Sequence, residues 1–575
     1  MRWVVPKQTM TYAETLQAVG LGSLLEEITG SEVRLVDGGE RYVLESEELP
    51  PYSEWPRITP GYPFIFLKAD GTMPPGEILD YEREREKAKR LQEFRKAAGT
   101  QKGKMASALQ EQGGGEPPKP VSEYKMASFL ASMRKGWVSD KHLFLWIQAN
   151  SDNIRAWVSD CMGIAESPDT STDVPKISNS QVFNPISGKG VHRPKPDSTA
   201  PGSISSEVVD PFAEWMKFRG AYRCMLPYRH DKGFKVMVIE PTDIIVSHLA
   251  ILYSRLRELD LWGGIRLDIE STLRLTEILI LHSDVMGNQI PLRNRLPREV
   301  VRGLHQAYFQ SLGTAAALMN YHFTAMPSWF PIHDRDDANA FLGIIREHIG
   351  DRRGEVVAGC LSSLEEKRSG DVPVLQQYRK WLTTGQIRDF LDFCYGFALH
   401  QIQRRSQDKW VKMMTTENLN ILFGRGYKML DIVENQGFQN VAKAIRNATV
   451  YALMDSKQKK GGRREVRFGL AQQWKQKIKG GNDEFVAALG DFVQQYNWES
   501  ENLDAAAKDR PAGGWKSHKV NAGDLDQVIR LIYGKGDKGA ELVGMLLLAY
   551  GYARTPKADA TEAEPEATNE EGISR

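Results

Sequence analysis

The run F-K-V-M-V-I at residues 234–239, followed by Glu240-Pro241, decides the fold reading. Phe234, Val236, Val238 and Ile239 favour an extended, half-buried backbone, and the proline stops the strand because it has no N–H to donate. Residues 243–259 then carry apolar side chains at helical spacing, so a strand followed by a helix is predicted. What precedes this unit, N-S-Q-V-F-N-P-I-S-G-K-G-V-H-R-P-K-P-D-S-T-A-P-G at residues 179–202, therefore lies inside an α/β domain.

Glycine and proline make that segment neither helix nor strand. Gly188 and Gly190 permit close approach of a polyanionic backbone, and Pro194 and Pro196 stiffen the chain around Lys189, His192, Arg193 and Lys195. Stiffening reduces the entropy lost on binding. Phosphate contact is the natural expectation, and a basic surface turn without a partner is its alternative. The segment is not a mononucleotide-binding loop: G-x-x-x-x-G-K-[ST] needs glycine where Phe183 stands and a hydroxyl where Gly190 stands.

Working outward, the spacing predicts a helix over 11–28, two strands within 32–44 about Asp37-Gly38-Gly39, and a strand over 61–67. Residues 77–109 are charge-dense, with E-R-E-R-E-K-A-K-R, and read as a solvated helix in which opposite charges neutralise one another. Helices are predicted over 124–133, 140–161 and 212–219. Beyond Leu296 the chain reads as mostly helical, over 298–322, 338–350, 372–381, 384–406, 419–434, 440–454, 482–497, 524–533 and 539–552. The fold class is thus α+β and multidomain, a mixed α/β N-terminal half with a mainly helical, bundle-like C-terminal half. The expected divisions are 1–109, a flexible linker 110–123, 124–296 with the basic loop, 297–411, 412–554, and an acidic tail 555–575 expected to be disordered.

A formal net charge of +1, from 75 basic and 74 acidic residues, excludes a uniformly cationic protein. The positions of the cations therefore carry the information. Cys161, Cys224, Cys360 and Cys394 are widely spaced, against a disulfide scaffold or zinc knuckle. The opening M-R-W-V-V-P-K lacks an apolar targeting run, and the apolar windows at 278–281 and 542–549 are too short to span a bilayer. A cytoplasmic protein with no membrane role is expected.

Two further basic stretches stand out. Arg404, Arg405, Lys409 and Lys412 bracket Trp410. Between Asp455 and Lys479 lie nine cations, Lys457, Lys459, Lys460, Arg463, Arg464, Arg467, Lys475, Lys477 and Lys479, against two acids. Such a concentration can replace counterions along a phosphate backbone without reading bases. The aromatic residues Trp146, Trp157, Phe492, Tyr496 and Trp498 read as core and turn packing before base stacking, with Asn497, Glu499 and Asn502 fixing a following turn. His333, Asp334, Asp336 and Asp337 admit a metal-dependent phosphodiesterase, but the same residues read more simply as the start of a helix.

The loop N-P-I-S-G-K-G-V-H-R-P-K at 184–195 resembles the large subunits of type I CRISPR effector (Cascade) complexes, whose loop has the form N-P-x-x-G-K-G-x-N-R-x-K. His192 stands in the place of the asparagine. A-I-R-N-A-T-V-Y at 444–451, F-V-Q-Q-Y-N-W-E-S-E-N at 492–502 and E-L-V-G-M-L-L-L-A-Y-G-Y-A at 541–553 resemble late helical motifs of the same group, in the same order. The resemblance spans about two thirds of the chain. It implies a subunit without catalysis or cofactor in an RNA-guided surveillance complex. Such a subunit contacts the guide RNA end and the backbone and small subunits, senses the protospacer-adjacent motif, holds opened target DNA and its displaced strand, and docks a helicase-nuclease supplied in trans. It places Asn184, Lys189, His192, Arg193 and Lys195 at RNA-end or DNA-backbone contacts and makes 457–479 a DNA track. In related complexes a small helical subunit is either fused to the large one or made separately from an internal start; Met413 and Met414 stand where such a start would fall, but a methionine alone is not a start signal. A cytosolic interaction scaffold remains the alternative outside catalysis and nucleic-acid binding.

Overall fold

The computed structural model describes residues 1–67, 78–100, 117–132, 134–150, 154–164, 173–177, 182–185, 209–230, 233–259, 261–312, 315–351, 357–457, 464–507 and 517–556. Half of the expected linker, 110–116, lies outside these residues, and so does almost all of the expected disordered tail. The chain divides into two compact units, one running through Met1–Met326 and the other beginning at Pro327.

In the first unit, β1 (Arg2–Pro6) leads to α1 (Tyr12–Thr29), β2 (Arg34–Asp37), β3 (Arg41–Glu45), β4 (Phe64–Phe66), β5 (Ile78–Asp80) and α2 (Tyr81–Thr100). Then come α3 (Tyr124–Ser132), α4 (Arg134–Ala149), α5 (Ile154–Cys161), α6 (Pro211–Cys224), β6 (Met225–His230), β7 (Gly233–Pro241), β8 (Asp243–Ile245), α7 (Val246–Arg257), α8 (Ile265–Leu281), β9 (Val301–Leu312) and β10 (Ala315–Ala325). Two antiparallel four-stranded sheets result, ordered β1-β3-β2-β8 and β10-β9-β7-β6, beside a parallel β4-β5 pair. A capping box joins Thr11 and Glu14 at the start of α1, and Gly30 ends it at φ 68°. Helices α1 and α6 cross at Gly20 and Gly220, where a Cβ would lie 1.8 Å from the Met216 carbonyl oxygen and 1.9 Å from that of Leu16. Only glycine allows so close a crossing.

The sequence expectation fails at 298–322, which is not a helix but the β9-β10 hairpin. β9 is bonded on both sides, to β10 and β7, and both its faces are covered. On one face Tyr321, from β10, accepts a hydrogen bond at 3.1 Å from the Tyr12 amide of α1 and bonds His305 at 2.8 Å; on the other, His322 meets Asp268 of α8 at 3.1 Å. A doubly covered strand loses the polar alternation that marks a strand, so its period cannot be told from that of a buried helix. Asp243, Ile244 and Ile245, predicted helical, form β8 on β2. Strand β7 also extends through Glu240 and Pro241, with a register shift between them.

The second unit contains α9 (Arg335–Ile349), α10 (Asp371–Thr384), α11 (Ile387–Ser406), α12 (Thr416–Ile421), α13 (Leu430–Val433), α14 (Gln436–Arg446), α15 (Ala452–Lys457), α16 (Leu470–Lys479), α17 (Asn482–Ala507), α18 (Ala522–Gly534) and α19 (Met545–Gly551). Three predicted helices are interrupted by π turns, at Leu422–Gly426, Asn447–Tyr451 and Ala540–Gly544. Stacked aromatics build one part of the core: Trp329 lies 5.4 Å from Trp381, and Trp381 lies 4.2 Å from Phe390. The three late motifs converge in another. Arg446 is buried and donates to the Tyr550 and Ala553 carbonyls, while Asn447 donates to the Tyr496 hydroxyl at 3.0 Å. Among the described residues, no helix is long and apolar enough to cross a membrane.

Candidate nucleic-acid interface

The C-terminus of α11 places Arg404 and Arg405 in its last turn, where unsatisfied carbonyls favour cations. Asp408, at φ 59°, turns the chain back, and the amides of Gln407 and Lys409 close on the Arg404 carbonyl at 3.0 Å each. Arg405 donates to the Val411 carbonyl. Arg554 is stapled alongside: its amide donates to the Met414 carbonyl at 2.8 Å, and its own carbonyl accepts from Thr416 at 2.9 Å. Burial, and then the Arg554 charge, hold the Arg405 pKa below its ordinary value. Trp410 stands 51% exposed beside these cations. Sequence reading found Arg404, Arg405, Lys409 and Trp410 but not Arg554, which lies far along the chain. Lys412 differs from the others, because its charge is felt by Glu347 and by buried His348.

One turn before Arg404, His400 bonds Asp371 through Nδ1 at 2.9 Å and Ser363 through Nε2 at 3.0 Å. This relay has the order of a nucleophile, base and carboxylate, yet each end is committed elsewhere. Ser363 donates to the Cys360 carbonyl at 3.1 Å, and Asp371 accepts from Arg368 at 2.6 Å and from the Glu365 amide at 2.9 Å. The relay therefore fastens the segment before α10 to α11. Burial outweighs the attraction of Asp371 and holds His400 below the ordinary histidine pKa.

The cations of 457–479 divide sharply. Arg464 lies 4.0 Å over the Tyr496 ring and donates to the Tyr496 carbonyl and Ser500 hydroxyl; Arg467 donates to Glu499 at 2.7 Å and lies over Phe492. Both side chains are nearly buried, so these two cations hold α17 and do not face solvent. On α16, Lys475 pairs with Asp392 at 2.7 Å, Lys477 pairs with Glu484 at 3.5 Å, and Lys479 is exposed. Lys475 thus meets α11 at Asp392, twelve residues before Arg404 (404 − 392 = 12), or about 18 Å along the helix axis. The α11 terminus and the Lys475 contact are consequently separated along α11 by roughly five phosphate spacings of a duplex strand. Lys457 ends α15; its side chain, with Lys459, Lys460 and Arg463, lies outside the described residues.

Of the glycine-proline segment, residues 182–185 are described, and Asn184 is the candidate contact among them. Its amide donates to Glu214 at 2.9 and 3.1 Å, and its oxygen accepts from Lys217 at 2.7 Å, so it anchors the chain on α6. Lys189, His192, Arg193 and Lys195 lie outside the described residues.

The four residues considered for a metal form a helix start. Asp334 caps α9 by accepting from the Asp337 amide at 2.9 Å, and Asp337 accepts from the His333 amide at 3.1 Å and pairs with Arg425. Among the described residues, no group of three or more His, Cys, Asp or Glu could hold a metal ion. The aromatic reading holds for Trp157, Phe492 and Tyr496, which are buried, but Trp498 is 66% exposed. Helix α17 continues past the predicted end at Asn497, whose side chain instead bonds both backbone groups of Val520, at 2.9 and 2.7 Å. No protein-family model matches this chain, and no curated protein matches it significantly.

Proposed function

We propose that this protein is a non-catalytic large subunit of an RNA-guided DNA surveillance complex. In this reading it binds the guide RNA end, senses the protospacer-adjacent motif, holds the opened duplex and its displaced strand, and presents the target to a separate helicase-nuclease. The carrying observation is the approach of distant Arg554 to Arg405 at the end of α11, beside a turn that carries Arg404, Lys409 and exposed Trp410. Cations beside a free indole suit a polynucleotide whose backbone is neutralised and whose unpaired bases can stack. Base pairing by a guide would then supply the address. The phosphodiesterase alternative is weakened because Asp334 and Asp337 are committed to a cap and an ion pair.

The test is the salt dependence of DNA and RNA binding by the native assembly. Replacing Arg404, Lys409 and Arg554 together by alanine is expected to weaken binding of all sequences. The slope of log K against log salt should fall by about 0.9 for each duplex phosphate that is no longer neutralised. An unchanged slope, with no guide RNA in the assembly, would sink the proposal.

A further inference from the structure

The first unit contains a cavity of about 590 Å³ that none of the predicted nucleic-acid-binding residues lines; its walls are Leu67, Tyr81 and Glu82 of α2, Ser128, Ala131 and Ser132 of α3, Arg229 of β6 and Phe234 of β7. Its chemistry is graded from inside to rim. Phe234 is half-buried and packs on Phe129 at 5.2 Å, giving an apolar wall with Leu67 and Ala131. Tyr81 stacks on Tyr124 at 5.9 Å and 21°, giving a flat aromatic wall. Ser128 and Ser132 supply hydroxyls; that of Ser132 donates to the Phe129 carbonyl at 2.7 Å and retains its lone pairs. At the rim, Arg229 is exposed and its side chain makes no hydrogen bond or ion pair among the described residues, whereas Arg85 is held by Glu82 at 3.1 Å. Glu82, the carboxylate of the lining, is thereby occupied by Arg85, and the charge of Arg229 is felt by the Tyr124 hydroxyl, so the guanidinium and the aromatic wall are neighbours.

Planar rings, short polar side chains and an unengaged guanidinium at the mouth match a nucleobase with its adjoining phosphate, and the volume falls within the range of small-molecule sites. Aromatic walls hold bases by stacking, which tolerates any base, and guanidinium engages phosphate through paired N–H groups. We infer that this cavity receives one unstacked nucleotide, base against Tyr81 and Phe234 and phosphate on Arg229. The inference rests on the nucleic-acid reading above and assigns a second contact, in the other unit of the chain. A nucleotide within a strand and a free mononucleotide share this chemistry.

Photocrosslinking of the full chain separates these sources. One arm uses a single-stranded RNA in which every uridine is 5-iodouridine, and the other uses 5-iodouridine monophosphate. Adducts mapped by mass spectrometry are expected on Tyr81 or Phe234 with the strand; adducts with the monophosphate alone would identify a free nucleotide in the same site. Arg229→Glu, an exposed substitution, and Ser128→Trp, which fills the cavity, should each reduce the adduct roughly tenfold. Strand binding at the Arg404 patch should persist in both variants, and a thermal melt checks that Ser128→Trp still folds. If the strand binds and crosslinks elsewhere only, or if Arg229→Glu leaves the adduct unchanged, the cavity assignment is wrong while the Arg404 patch stands. If no strand binds the wild-type assembly, both assignments fall.

Discussion

His348 shows how burial converts one side chain into a pH-dependent stability term. It is fully enclosed by Tyr378, Trp329, Trp381 and Phe390, its Nδ1 lies 2.7 Å from the Tyr378 hydroxyl, and burial, then the Lys412 charge, lowers its pKa to about 3. Above the unfolded value, about 6.5, both states are neutral and the shift costs nothing. Below it the unfolded chain takes up a proton that the native chain refuses until about pH 3, so stability falls as pH falls through that window. Urea titrations at pH 7 and pH 5 should show wild type losing ~2 kcal/mol more than His348→Gln, which retains a polar side chain beside Tyr378. Equal losses would mean that His348 is already accessible to protons in the native state. At this scale, local chemistry was legible in the sequence and distant pairing was not. Asp334 could be read as a helix start because a cap involves residues three apart, whereas the bonds of Asn184 to Glu214 and the approach of Arg554 to Arg405 depend on the fold.

Most elements were legible where one face is buried and the other is wet, as in α9, whose Asp334 cap precedes a regular apolar stripe. The β9-β10 hairpin was not, because α1 and α8 cover both faces and remove the alternation. The π turns were also invisible, since a single wide turn within a helix barely alters the apolar period. The α1-α6 crossing is the element contact most sensitive to a single atom. In Gly220→Ala the new methyl would fall 1.9 Å from the Leu16 carbonyl oxygen, backbone that cannot swing aside like a flexible side chain. The expected cost is about 3 kcal/mol, the upper end of ordinary overpacking, read as a lower denaturation midpoint with an unchanged slope in denaturant. Gly30→Ala, a substitution at φ 68° with no neighbour within 4 Å, is the contrast, because its cost comes from backbone conformation alone. If the two variants were equally stable, the helices would have room to separate at the crossing.

For the whole molecule, a net charge of +1 means that no general cationic field draws a polyanion to the protein, so any salt-dependent binding has to arise from where the cations stand. Density in the sequence overstated that resource, because Arg464 and Arg467 are turned toward Glu499 and the rings of α17. Lys479 belongs to the same dense stretch but is exposed, with no ion pair among the described residues. The two kinds of cation should separate in two measurements on the same protein. Arg467→Ala removes a charged hydrogen bond from half-enclosed Glu499 and is expected to cost ~2 kcal/mol of stability while leaving the salt slope of nucleic-acid binding intact. Lys479→Ala is expected to leave stability within ~0.5 kcal/mol and, where α16 follows a duplex, to lower the slope by about 0.9. The reverse pattern, a stable Arg467→Ala protein with a reduced slope, would show that Arg467 reaches phosphate in the bound state, and that α17 yields its arginine when nucleic acid arrives.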